Sequence, residues 1–279
     1  MVAEVTVGVL ASSLALLSDA AHMLTDAAAL ALSLFAAQVA GRPAHGAMTY
    51  GLGRAEILSA QVNGMTLLIL GVLIVYGAIS RLVAPPKVDA VPMLVVAIAG
   101  VGVNLLAAKI LASGEKRSLN VEGSYRHILT DLYGFIATAV AACVILATGF
   151  NRADPIASLV IAGLMLHAAY VLLKASGRVF MEAAPAGVDP DEIGRTLASQ
   201  AGVVEVHDLH VWEVTSGFAA LSAHVVVRAG DDCHELRRSL QQLLEDRFDI
   251  HHTTLQVDHE AGPLQIEVPA PAEPQGERR

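Results

Sequence analysis

The chain alternates long apolar runs with short polar breaks, and that pattern alone predicts most of its elements. Ile57–Ser80, Ala90–Ala108, Leu132–Asn151 and Ile156–Leu173 carry no Asp, Glu, Lys or Arg. Each meets, or comes within a residue or two of, the roughly 20 apolar residues that cross a bilayer core as helix. Leu14–Ala40 is long enough to be a fifth span if it tolerates Asp19, His22 and Asp26. Ala84-Pro85-Pro86 stops one helix and opens a turn, and Gly149-Phe-Asn-Arg-Ala-Asp-Pro155 is a tight link between two spans. Met1–Ser13 is apolar apart from Glu4, too short to span, and lacks the charged start of a signal peptide. It reads as the latter part of a truncated first helix, the alternative being an amphipathic start lying on the membrane.

From Val188 the period changes. Asp189-Pro-Asp-Glu192 combines a helix cap, a first-turn proline and first-turn acids. Val203–Val214 and Phe218–Val227 are β-rich runs joined at Thr215-Ser-Gly217. Asp231–Phe248 places Leu236, Leu240, Leu243 and Leu244 at helical spacing, and Thr254–Val257 is a closing strand. The order αββαβ predicts a small sheet with helices on one face. The expected organisation is a membrane domain over residues 1–184, a compact domain over 185–262 and a disordered Pro/Glu/Gln-rich tail over 263–279.

Charge sharpens this division. Only 16% of residues are charged, against about a quarter in ordinary soluble domains. Met1 to Glu182 sums to +1 and Pro185 to Arg279 to −10, which together make the net −9. An acidic aqueous part argues against nucleic acid as a partner, because phosphate binding needs a basic face. Arg42, Arg54, Lys109, Lys116, Arg117, Arg126, Lys174 and Arg178 flank the spans on the side of the C-terminal domain. Arg81, Lys87 and Arg152 lie opposite, so the positive-inside rule puts that domain in the cytoplasm. Two cysteines form no disulfide framework and no paired-thiol motif. Cys143 reads as a small core residue and Cys233 as a helix-start residue.

Chemistry concentrates in two short repeats. His22-Met-Leu-Thr-Asp26 and His127-Ile-Leu-Thr-Asp131 both lie within apolar spans. An Asp at the centre of a membrane helix costs roughly 2.5–3.5 kcal/mol on insertion scales, so Asp26 and Asp131 each need a partner or a role. Spacing i,i+4 sets His and Asp on one helix face. Two such faces packed together present two imidazoles and two carboxylates, a set that suits tetrahedral Zn²⁺. The alternative is an interhelical polar network without metal. A metalloprotease helix is disfavoured, since no Glu follows His22. Asp19, one turn before His22, is a candidate carboxylate that orients the ligands or lines the entrance. Asn63 and Asn104 suit interhelical hydrogen bonds, and His167 has no acid in register.

Leu16-Leu-Ser-Asp-Ala-Ala-His-Met-Leu-Thr-Asp26, Asn120-Val-Glu-Gly-Ser-Tyr-Arg-His-Ile-Leu-Thr-Asp131 and Val206-His-Asp-Leu-His-Val-Trp-Glu-Val214 resemble the cation diffusion facilitators over about Val2 to Glu260. The resemblance implies six membrane helices, the first cut short here, with a cytoplasmic ferredoxin-like αββαβ domain and a homodimer in the plasma (inner) membrane. It implies secondary active transport, with no enzyme activity: Zn²⁺ leaves the cytoplasm against protons through His22, Asp26, His127 and Asp131. The His on the second helix matches the zinc-preferring branch. Transport of Fe²⁺, Co²⁺, Ni²⁺ or Cd²⁺, or a membrane zinc sensor without flux, are the alternatives. The soluble part holds seven of the 11 histidines. His207, His224, His234, Asp258 and His259 match positions at which related members bind metal, which implies a regulatory Zn²⁺. The resemblance also implies a charge pair between Arg54 and Glu182 that locks helices together. It implies no strong metal site in the Gly41–Glu56 loop, where His45 stands alone.

Overall fold

The computed structural model describes the backbone of residues 1–112 and 119–260, and the side chains of those residues outside 111–127. The chain separates into two compact units, Met1–Met181 and Glu182–Arg279. The expected tail over 263–279 lies outside the described residues.

The first unit is helical throughout: α1 Val2–Leu10, α2 Leu14–Ala40, α3 Arg54–Val83, α4 Ala90–Ala112, α5 Leu119–Thr148 and α6 Ala153–Phe180. Among the described residues five of these, α2 to α6, are long and apolar enough to cross a membrane. The nine-residue α1 is not. Two residues past α1, Ser12 takes a left-handed φ of 55°. Ser13 then caps α2 by accepting from the Leu16 amide at 3.2 Å, which satisfies one of the donors every helix start leaves open. Gly149 ends α5 at a φ of 71°, a backbone state that favours glycine.

Packing of this bundle relies on small residues, because lipid supplies no hydrophobic force between helices. Along α3, a Cβ at Gly71 would meet Leu166 at 2.7 Å, and one at Gly64 would meet Leu173 at 3.0 Å, so α3 and α6 approach closely. Leu16, Leu67, Met93, Ala142, Ile161 and Met165 fill the centre. Leu34, Phe35, Tyr76, Val83, Val95, Val103 and Leu106 are exposed, the outward apolar surface that hydrocarbon covers.

The second unit runs α7 Pro190–Ala198, β1 Val203–Thr215, β2 Phe218–Val227, α8 Cys233–Phe248 and β3 His252–His259. The sheet order is β1-β2-β3, antiparallel then parallel, so the expected αββαβ arrangement is present. Asp189 caps α7 and Asp232 caps α8. Both helices lie on one face of the sheet, where Ile193, Leu197, Leu240 and Leu244 meet Leu221, Val225, Val227 and Leu255. Strand β1 is irregular between His207 and His210, with Asp208 at a φ of 49°. Strand β3 exceeds the expected Thr254–Val257 at both ends, because its parallel ladder with β2 runs from His252 to His259.

Candidate metal centre

Helices α2 and α5 bring part of the repeated motif together. The Nε2 atom of His22 lies 3.7 Å from Asp26 Oδ2 and 3.7 Å from Asp131 Oδ1. One ligand atom from each of the three residues falls within 4.8 Å of the others. Tetrahedral coordination at about 2.0 Å per bond separates ligand atoms by roughly 3.3 Å. The three groups would have to close in on that separation to enclose one ion. His22 is 8% exposed. His127 belongs to α5 one turn before Asp131, and its side chain lies outside the described residues.

Asp19 sits on the other flank of His22, 2% exposed, its Oδ2 without a hydrogen-bond partner among the described residues. Its Oδ1 rests against the α5 backbone, where a Cβ on Gly134 would stand 3.2 Å away. Asn63 of α3 also holds a buried Oδ1 without a partner among the described residues, whereas the Asn104 amide donates to the Gly100 carbonyl at 3.0 Å within α4. Arg54 opens α3, and Glu182 opens the second unit at a left-handed φ of 55°.

The cytoplasmic candidates divide. His207 and His224 are direct cross-strand partners, with ring centroids 5.3 Å apart at 75°. Asp208 joins them, its Oδ2 at 3.8 Å from His224 Nδ1, and one ligand atom from each of the three falls within 4.8 Å of the others. His234, Asp258 and His259 lie outside that group. The His234 amide donates to its Asp232 cap at 2.9 Å, Asp258 accepts from Gln256 at 2.9 Å, and His259 Nε2 lies 3.0 Å from the Asp231 carbonyl. On a regular strand Asp208 and His207 would point to opposite faces, so sequence alone does not group them. The signal for it was its place directly after His207, and the irregularity at Asp208 removes the alternation.

Two other groups of this domain have shifted ionisation. Hydrogen bonds from the Glu235 and His234 amides hold the Asp232 carboxyl below its usual range. Hydrogen bonds to Asp249 and Glu245, at 2.9 and 3.0 Å, raise the His251 imidazole above its usual range.

Comparison with known proteins agrees with this architecture. A family profile described as "Cation efflux transmembrane domain" matches residues 1–181, and one described as "Cation efflux protein, cytoplasmic domain" matches residues 185–260. The chain is 41% identical to the metal cation efflux system protein CzcD of Cupriavidus metallidurans, over 92% of this chain and 82% of that protein. It is 40% identical to the cadmium, cobalt and zinc/H(+)-K(+) antiporter of Bacillus subtilis, over 94% and 85%. It is 38% identical to the zinc transporter ZitB of Escherichia coli, over 93% and 83%. A solved structure of the metal-bound C-terminal domain of the CzcD transporter is 39% identical, covering 25% of this chain and 99% of its own, with a TM-score of 0.25. Two domain matches in order, and relatives near 40% identity over more than nine-tenths of its length, place the chain in the cation diffusion facilitator family, as an inner-membrane cation efflux transporter, not an enzyme, with its C-terminal domain in the cytoplasm.

Proposed function

We propose that this protein exports Zn²⁺ from the cytoplasm in exchange for protons, at a site formed by His22, Asp26, His127 and Asp131. The observation that carries the reading is His22 Nε2, held 3.7 Å from carboxylate oxygens on two different apolar helices. Neutral imidazole and ionised carboxylate are the forms that bind metal, so protons and the cation compete for the same atoms. Proton binding on the outer side then releases the ion, and deprotonation on the inner side readmits one. Asp19, buried beside α5 one turn from His22, steadies that site from its outer side.

The relatives' names include cadmium and cobalt, and the same nitrogen and oxygen donors accept those ions. Competition by Cd²⁺ and Co²⁺ in one assay ranks them. The test is Zn²⁺ uptake into proteoliposomes that are acidic inside. Uptake that follows the gradient and disappears in Asp131→Ala supports the reading. Zinc binding without flux, or flux indifferent to the gradient, refutes it.

The chain functions as a homodimer whose cytoplasmic domains take up regulatory Zn²⁺ at His207, Asp208 and His224. His234, Asp258 and His259 complete that metal surface in the dimer. Bound metal neutralises part of the acidic domain and draws the two copies together. A charge pair between Arg54 and Glu182 is what the family resemblance implies. Charge reversal at one of them should impair transport and be rescued by reversal at the other; independent effects would refute the pairing.

A further inference from the structure

The joint between α1 and α2 is held from outside itself. Asp154, in the first turn of α6, is fully buried. Its carboxylate accepts hydrogen bonds from the Ser13 hydroxyl, the Leu14 amide at 2.8 Å and the Ala15 amide at 3.2 Å. Those amides are the open donors of the α2 start, where the helix dipole also favours a negative charge. Arg81, near the end of α3, donates to the Ser12 carbonyl at 2.7 Å and approaches Asp154 Oδ2 at 3.9 Å. Ser12 is the strained residue of the joint, with φ of 55°. A non-glycine residue persists in that region only where its surroundings hold it there.

This knot lies at the outer end of the bundle, because α6 leads from it to the cytoplasmic domain. Burial along α2 is correspondingly uneven. Between the knot and His22, Ala15, Leu16, Ser18, Asp19 and Ala20 are all 2% exposed or less. Past Asp26 the helix is mostly exposed or half-buried.

We propose that Asp154 is a positioning residue that closes the outer half of the transport path. By capping α2 from the closely packed α3–α6 pair, it keeps the cation site shut toward the outside, and outward release requires that cap to let go. The inference rests on the transport reading, and its test reads accessibility independently of flux.

The full-length protein with Cys143→Ser and Cys233→Ser receives a Ser18→Cys reporter, buried between the knot and His22. A membrane-impermeant maleimide is applied from the outer side. Asp154→Asn removes the charge while keeping the shape, and should raise the labelling rate about tenfold, the factor for one charge-assisted hydrogen bond. The KM for cytoplasmic Zn²⁺ should rise in parallel while kcat changes less, because fewer molecules face inward. Arg81→Gln, at a partly exposed side chain, should act in the same direction by a smaller factor. It also serves as the reading if Asp154→Asn fails to fold. Unchanged labelling in a folded variant, or lower kcat with unchanged labelling and KM, overturns the proposal. Failure of the transport reading would instead appear as absent flux with the labelling response intact.

Discussion

A single added methyl group tests whether α4 packing sets the position of Asp131. A Cβ on Gly100 would stand 2.3 Å from Phe135 Cδ1 and Cε1 and 2.7 Å from Cγ. Carbon atoms prefer about 3.5 Å or more, so the ring or its helix must retreat by about 1.2 Å. Phe135 is 4% exposed and lies on α5 one turn after Asp131, so the retreat is transmitted to the carboxylate that sits 3.7 Å from His22. Gly102, on the same helix, has nothing within 4 Å of its Cβ position and serves as the control. Gly102→Ala receives only the helix-propensity gain, up to about 1 kcal/mol. Gly100→Ala receives that gain together with an overpacking penalty of about 1–3 kcal/mol. The difference between the two variants therefore isolates the clash, read as thermostability in detergent. Zinc flux in proteoliposomes should fall about 10- to 100-fold in Gly100→Ala and stay near wild type in Gly102→Ala, since an error near 1 Å at a reacting group costs about that much. Phe135→Leu should restore part of the loss. If Gly100→Ala matches Gly102→Ala in both stability and flux, the ring relaxes freely, and α4 does not position the site.

Two predictions concern the cytoplasmic domain. Because Asp249 and Glu245 raise the His251 imidazole, the interaction stabilises the fold below the ordinary imidazole range and is lost as pH rises through the elevated folded value. Unfolding of the full chain followed by Trp212 fluorescence should show this loss, the more clearly because Trp212 is the chain's one tryptophan. His251→Gln should flatten the profile, and an unaltered profile in the variant would remove His251 as its source. In an Asp26→Ala, Asp131→Ala background, which disables the membrane site, Asp208→Ala should weaken zinc binding by more than about tenfold. Equal affinity by calorimetry would show that Asp208 is not a ligand.

The spans were legible because lipid requires contiguous apolar length and leaves no middle course. The two His-x-x-x-Asp repeats were legible because a charge inside such a run stands out against it. What stayed hidden depends on tertiary neighbours. Asp154 follows Arg152 in a short polar link beside Pro155, and a carboxylate there reads as solvated. Only the fold shows the start of α2 standing over it. Asp208 joins the histidines only through a left-handed backbone turn, at a φ of 49°, that sequence does not announce. The grouping of the cytoplasmic histidines was hidden for a similar reason. His207 and His224 meet through strand register, whereas His234 begins a helix and His259 ends a strand, and sequence spacing does not relate them.

The helix that carries the chemistry is also the one that needs outside support. Helix α2 is the least apolar of the five spans, and Ser13, Ser18, Asp19, His22 and Thr25 are all buried in it or at its cap. Hydroxyls in this group meet their needs within the helix, as Ser18 does at Leu14 and Thr25 at Ala21. The imidazole and the carboxylates draw on one another and on a neighbouring helix instead: His22 meets Asp26 one turn along α2 and Asp131 across on α5. The burial of these polar groups and their need for outside support therefore have one origin, the polarity of α2. Asp154 grips that helix at its start, and Arg81 holds the Ser12 joint just before it.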